Sequence, residues 1–199
     1  MKNELEMIQT LFEYQSFGLL PFPIKPFSEE IHDSKEGRML YLNALNGIQM
    51  SEQEIYNWFA EKKLDNCGLI LGEIGNLSIL EFENEKSLNN LINNLSKKNE
   101  TNISDIIFQN LLETLITATT CIYTPEHKIQ FWFNYSKKLP TFNYEKNEKN
   151  SIYNGIKIYS DGFTIAPPSF IRNKNEVGQF EISLGKPPIN FPEEIVFFI

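Results

Sequence analysis

The stretch Asn76-Leu77-Ser78-Ile79-Leu80-Glu81-Phe82-Glu83 has the composition of a buried β-strand that ends in two acidic residues. Because successive side chains of a strand point to opposite faces of its sheet, Glu81 and Glu83 share one face and Phe82 points to the other. Two carboxylates this close repel each other, so a divalent cation, a basic partner or a shared proton would have to stabilise them. The alternative is that the strand runs out into solvent and both acids are surface residues.

The chain of 199 residues is long enough for a single domain with a sizeable core, and its 41% hydrophobic and 13% aromatic content is typical of a globular protein. The net charge is -8 and no segment is densely basic, which argues against strong sequence-independent binding to nucleic acid but leaves a local basic groove open. Cys67 and Cys121 form no Cys-x-x-Cys pair, so we expect neither zinc nor a disulfide framework.

The N-terminus carries Lys2, Glu4 and Glu6 before any apolar run, which is unlike a signal peptide. No stretch approaches the roughly 18–20 apolar residues of a membrane span. We therefore expect a cytoplasmic protein with no membrane partner.

Helical spacing and strand-like stretches interleave along the chain without strict alternation, which predicts an α+β fold with a mixed or antiparallel sheet flanked by helices. Residues 25–50 and 143–152 have no regular pattern. Turn residues at 75–76 and 160–162 predict two hairpins, and Ser51 with Glu54 predicts a capping box. We predict helices over 4–17, 51–63, 87–95 and 106–115, and strands over 19–24, 66–72, 76–83, 117–124, 129–135, 155–159, 163–166 and 179–184.

Four stretches occur together and in order in one known family: Tyr14–Pro23, Asn66–Gly72, Leu77–Glu83 and Gly155–Ser169. Through them the chain resembles the N-terminal catalytic domain of bifunctional DNA primase/polymerases, the prim-pol branch of the archaeo-eukaryotic primases. The most specific piece is the closing Ala-Pro-Pro-Ser at 166–169. The resemblance spans about residues 10 to 184 and implies one prim-pol-like domain over residues 1–199.

In that family two strand-end acids and one later acid hold divalent metals for nucleotidyl transfer. By position, Glu81 and Glu83 take the first two acid places, so the resemblance implies Mg²⁺ or Mn²⁺ as the cofactor if the domain is active. It also implies nucleotide contacts from Lys128 and Ser169. Single-stranded DNA, nucleotides and a separate helicase or replication protein are the implied partners.

The remaining family positions differ in this chain. Lys157 stands at the third acid, Tyr159 at an arginine and Gln130 at the histidine that contacts nucleotide phosphates, while His127 and Lys128 replace two glycines of a turn. His127 lies three residues before the histidine position, and on a strand that odd offset puts it on the opposite face.

An ammonium in place of a carboxylate reverses the charge at a metal site. We therefore predict that the Lys157 ammonium pairs with Glu81 or Glu83 and takes the place of the metal. The resulting hypothesis is a replication-type primase/polymerase-like domain, for instance of a mobile element, with a degenerate site that still binds nucleic acid or nucleotide. Two alternatives stay open: an active metal-dependent enzyme with an unusual site, and a non-catalytic protein-interaction scaffold.

Overall fold

A computed structural model describes residues 2–62, 66–97, 117–138, 142–143, 155–173 and 176–191. The predicted helix at 106–115 lies outside these residues, as does nearly all of the predicted loop at 143–152. The helices are α1 (Lys2–Ser16), α2 (Lys35–Leu45), α3 (Glu52–Ile55, continued by a π-helical segment Tyr56–Glu61), α4 (Gly72–Gly75) and α5 (Glu85–Lys97).

The strands are short and most pair antiparallel, which confirms the α+β class with antiparallel sheets. They are β1 (Pro21–Pro23), β2 (Cys67–Ile70), β3 (Ser78–Phe82), β4 (Cys121–Tyr123), β5 (Ile129–Asn134), β6 (Phe142–Asn143), β7 (Ile156–Tyr159), β8 (Phe163–Ala166), β9 (Phe170–Asn173), β10 (Glu176–Gln179), β11 (Glu181–Leu184) and β12 (Ile189–Asn190).

The described strands form a large sheet, a small sheet and the separate pair β9–β10. The large sheet has the order β11-β4-β5-β3-β7-β6, with β12 pairing parallel to β5. The small sheet has the order β1-β2-β8, so the proline-containing β1 lies at an edge, as predicted. The strand that carries Glu81 is thus central, between β5 and β7.

Both predicted hairpins are wrong. Strands β2 and β3 lie in different sheets, and so do β7 and β8. Between β2 and β3 the chain forms the short helix α4, which begins at Gly72 with a φ of +84° and is followed by Asn76 in the left-handed region. The turn residues therefore mark points where the chain crosses from one sheet to the other.

The two faces of the large sheet bury different sets of side chains. Trp132 belongs to a core shared with α1 and the small sheet, whereas Phe131 and Phe133 belong to a second core with Leu91 of α5. This alternation follows the period of two predicted for the strand. Tyr14 of α1 packs its ring 5.7 Å from that of Trp132, which joins the first helix to the sheet.

Two helix predictions have different outcomes. The capping box is confirmed, because Ser51 Oγ accepts from the Glu54 amide and the Glu54 carboxylate accepts from the Ser51 amide. Helix α2, in contrast, lies inside the segment that was predicted to be irregular. None of the helices within the described ranges is long and apolar enough to cross a membrane.

Candidate functional site

The register of the large sheet brings three of the predicted site residues together. Glu81 on β3 lies opposite Gln130 on β5 and opposite Lys157 on β7. Side chains of directly paired residues in an antiparallel sheet project on the same face. Tyr159, two residues after Lys157 on the same strand, shares that face as well.

Glu81 is a buried carboxylate, with only 5% of its surface exposed. Gln130 Nε2 donates to its Oε2 at 2.9 Å, and the Tyr159 hydroxyl donates to its Oε1 at 3.2 Å. Lys128 Nζ lies 3.8 Å from the same Oε1. Burying a charge is tolerable when it is hydrogen-bonded and paired, and these three groups do both.

Lys128 reaches Glu81 because of a tight turn between β4 and β5. The His127 amide donates to the Thr124 carbonyl at 2.9 Å, and the Lys128 amide donates to Thr124 Oγ1 at 3.2 Å. His127 has a φ of +62° and an exposed side chain. The turn places the Lys128 ammonium 2.5 Å from Glu126 Oε2 while it also faces Glu81.

The charges around this ammonium and the neighbouring phenol set their pKa values. Burial by itself would lower the pKa of Lys128, but the hydrogen bond that its ammonium donates to Glu126 and the charge of Glu81 outweigh this effect, so the pKa is raised. Burial raises the pKa of Tyr159, and the Glu81 carboxylate raises it further. At neutral pH, therefore, Lys128 is charged and Tyr159 is a neutral donor.

The prediction for Lys157 is wrong in its central detail. Its Cα stands opposite that of Glu81, but among the described residues the ion pair of Glu81 is with Lys128, and Glu83 has none. Lys157 is half-buried beside this network. A cation of the polypeptide does face Glu81, as proposed, but it comes from the turn before β5.

Glu83 does not join the site. It lies just past the end of β3, is exposed, and its amide donates to the Gly155 carbonyl at 2.7 Å. The two alternatives left open by the sequence thus each apply to one acid: Glu83 is a surface residue, and Glu81 is buried against basic and neutral donors.

The predicted nucleotide contact of Ser169 is also corrected. The residue is completely buried, its hydroxyl accepts from the Cys67 amide at 2.9 Å, and it donates to the Cys67 carbonyl at 3.2 Å. The hydroxyl thus donates and accepts, and it joins the turn between β8 and β9 to the start of β2. Ser169 therefore has a structural role.

A cleft of about 280 Å³ opens above Glu81, and residues of both sheets line it. Its charged lining consists of the carboxylates of Glu29, Glu81 and Glu126 and the ammonium of Lys128, a balance of two negative charges. The uncharged part of the wall includes the apolar side chains of Leu71, Phe163, Ile165, Ile171 and Phe180 and the polar side chains of Thr124, Gln130, Tyr159 and Thr164. Sequence reasoning missed Glu29 because it lies in a segment without pattern, whereas Glu126 could have been found from its place two residues before Lys128.

One polar atom of a residue that lines the cleft has no partner within the part of the chain that the structure describes. Because a carboxylate only accepts, the Gln130 amide must direct its nitrogen to Glu81, which leaves its Oε1 as an acceptor. Gln130 is 5% exposed, and its Oε1 has no donor within the described part of the chain. Trp132 Nε1, two residues along the same strand, is likewise buried and unpaired among the described residues.

The donor set does not fit the implied Mg²⁺ or Mn²⁺ site. Two hydrogen-bond donors and an ammonium group already face the oxygens of Glu81, and Glu83 is not among the residues that line the cleft. The described residues contain no group of three or more His, Cys, Asp or Glu side chains that could hold a metal ion. The cofactor therefore stays a prediction of the resemblance alone.

No known protein-family model matches the chain, and no curated protein matches it either.

Proposed function

We propose that this chain is a primase/polymerase-like domain with a degenerate nucleotidyltransferase site and that it acts by binding nucleic acid or nucleotide. The observation that carries the proposal is the saturation of Glu81, at the first family metal position, by Gln130, Tyr159 and Lys128. The family membership itself rests on the sequence motifs.

The requirements of metal-dependent phosphoryl transfer also support the proposal. The reaction needs carboxylate oxygens free to hold divalent cations and basic groups free to stabilise phosphate charge. Here Gln130 and Tyr159, at the family histidine and arginine positions, donate to Glu81. Lys128 is held between Glu81 and Glu126. The groups that would bind metal or phosphate in an active enzyme are therefore paired with one another here.

A primer-synthesis assay tests the proposal. Purified protein is incubated with single-stranded template, nucleotides and Mn²⁺, beside a Glu81→Ala variant. We expect no product from either protein. Synthesis by the wild type that disappears in Glu81→Ala would contradict the proposal and favour an active enzyme with an unusual site.

A protein-interaction domain on the same scaffold is the second candidate. The negative balance of the cleft lining favours it, because a phosphate chain is repelled there in the absence of metal. Fluorescence anisotropy of labelled single-stranded DNA separates the two. Binding that weakens as salt is raised supports nucleic-acid binding, and no binding at low salt supports the protein-interaction role.

A further inference from the structure

We propose that one water molecule is bound behind the lining of the cleft, where it joins Trp132 Nε1 to Gln130 Oε1 and holds the Gln130 amide against Glu81. This site is separate from the cleft itself, because both atoms are buried from solvent. Three features support it: the burial of the two atoms, their positions on one strand, and their complementary hydrogen-bonding chemistry.

Both atoms are buried polar groups that no described residue pairs. Trp132 is 0% exposed and Gln130 is 5% exposed, and neither the indole nitrogen of the first nor the amide oxygen of the second has a hydrogen bond within the described ranges. A polar group that loses its bonds to solvent and gains none in the fold costs free energy, so such groups are nearly always paired with protein or with ordered water. Two of them on one strand indicate a common partner.

The two side chains face the same space. Gln130 and Trp132 are two residues apart on β5, so they project from the same face of the sheet with their Cα atoms about 6.5 Å apart. On the neighbouring β3, Glu81 stands opposite Gln130 and Ile79 stands opposite Trp132. The partner that both atoms require therefore lies on this buried face, within reach of both side chains.

The hydroxyl groups near these atoms already donate elsewhere. The Tyr159 hydroxyl donates to Glu81, and the Thr164 hydroxyl donates to a backbone carbonyl at 3.2 Å. The Tyr14 hydroxyl, whose ring packs on the indole, donates to another backbone carbonyl at 2.9 Å. None of these three groups therefore has a hydrogen left for Gln130 Oε1.

The chemistry of the two atoms selects water. An indole N–H group only donates and an amide oxygen only accepts, so their common partner must accept from one and donate to the other. A monatomic ion can pair with only one of them. Water does both, and buried waters in proteins typically make about three hydrogen bonds to groups that are otherwise unpaired. A hydroxyl group of a larger ligand has the same chemistry, but it cannot reach atoms that are closed off from solvent.

The water acts on Glu81 through Gln130. The nitrogen of the Gln130 amide donates to Glu81 Oε2 at 2.9 Å. A hydrogen bond from the water to Oε1 fixes this orientation, since a flipped amide would turn its oxygen toward the carboxylate. Trp132 is therefore a positioning residue for the buried acid, acting through the water and Gln130.

A crystal structure of the full chain, at a resolution that shows ordered water, tests the proposal directly. We expect one water whose oxygen lies about 2.7–3.2 Å from both Trp132 Nε1 and Gln130 Oε1. A direct hydrogen bond between the two side chains, or the lack of a water within that distance of both atoms, would overturn the proposal.

Nuclear magnetic resonance tests the same site in solution. The protein is deuterated, labelled with ¹⁵N and dissolved in H₂O, and Trp58→Phe assigns the two indole signals. A long-lived bound water gives the Trp132 indole proton a cross peak to water that has opposite signs in NOESY and ROESY spectra, whereas proton exchange gives the same sign in both. We expect opposite signs. The absence of such a cross peak contradicts a bound water.

Two variants on either side of Trp132 separate a bound water from a general change in the sheet. Gln130→Leu removes the acceptor, so the cross peak should disappear. Asn134→Leu is the matched control, because Asn134 lies two residues to the other side of Trp132 and its amide already pairs with Asn190 at 3.0 Å. The control should keep the cross peak.

A cross peak that stays in Gln130→Leu, or that is lost in both variants, would also overturn the proposal. If Gln130→Leu does not fold, the wild-type crystal structure and the wild-type cross peak still decide. The outcome is independent of the primer-synthesis assay, which tests the cleft and not the space behind it.

Discussion

Replacing Lys128 by methionine, which keeps most of the length of the side chain and removes its charge, tests whether this lysine is the counterion of a buried carboxylate. Two unit charges 3.8 Å apart attract each other by about 4 kcal/mol at an effective dielectric constant near 20. Part of this is offset by the burial of the ammonium, whose side chain is 29% exposed. The pair with Glu126, a residue 40% exposed, adds little. We expect Lys128→Met to lower the free energy of unfolding by about 1–2 kcal/mol.

The matched control is Lys137→Met. Lys137 lies closer to its partner Glu73, at 3.0 Å, but the two side chains are 76% and 68% exposed. Exposed pairs contribute about 0–1 kcal/mol at most, so distance and burial predict opposite rankings of the two variants. We expect the control to change stability by less than about 0.5 kcal/mol.

Urea unfolding at pH 7, followed by the fluorescence of Trp58 and Trp132, measures both variants. The lower free energy of unfolding of Lys128→Met should persist at about 0.5 M salt, because salt screens a buried ion pair less than an exposed one. If Lys137→Met is destabilised as much as Lys128→Met, or if Lys128→Met is as stable as wild type, the structure of the cleft has been misinterpreted and Glu81 does not depend on Lys128.

Three further predictions concern neighbouring groups. Burial and the Glu81 carboxylate hold the pKa of Tyr159 above its ordinary value of 10.0. The contribution of Tyr159 to the free energy of unfolding is therefore complete below pH 10, whereas above pH 10 the unfolded chain loses a proton that the folded chain keeps. Stability should therefore fall above pH 10, and Tyr159→Phe should make that fall shallower in urea titrations at pH 9–11; an unchanged slope would show that Tyr159 is not shielded. Ser169→Ala should cost about 1–3 kcal/mol in the same assay, because it leaves the buried Cys67 amide without an acceptor, and should leave any nucleotide binding unchanged. Burial raises the pKa of Cys67 to about 12 and that of Cys121 to about 11, so a thiol reagent at pH 8 should label both slowly until urea is added; fast labelling of the native protein would contradict their burial.

The sequence predicted those features of the fold that depend on neighbours along the chain. The alternation of Phe131, Trp132 and Phe133 between two faces follows from strand geometry alone, and it holds in the structure. The capping box at Ser51 and Glu54 is likewise a local hydrogen-bond pattern. Neither feature needs knowledge of what packs against it.

Strand pairing could not be predicted in the same way. The turns at 75–76 and 160–162 show that the chain changes direction, but not which strand it then joins. Strand β3 pairs with β5 and β7, which lie far along the chain, and not with the preceding β2. A chain that crosses from one sheet to the other at these turns has the same turn residues as a chain that forms two hairpins.

Helix α2 was missed for a different reason. Its buried residues are Gly37, Leu40 and Ala44, so the buried stripe contains one large apolar side chain. Gly37 packs directly against His32, where a Cβ atom would come within 2.8 Å of the His32 Cβ. Gly37 is thus needed for close packing against His32, whereas in a sequence a glycine is read as a sign against a helix.

The site shows how far a backbone position can determine chemistry. Position 157 stands opposite Glu81 in the register of β3 and β7, yet the charge of a lysine lies at the end of a four-carbon stem and can point elsewhere. Gln130 and Tyr159 have fewer freely rotating bonds, and from the same face both donate directly to the carboxylate. Both side chains are neutral donors, so they satisfy the carboxylate without adding positive charge to the cleft. Side chains from three positions on two strands and a turn therefore act together to stabilise one buried acid.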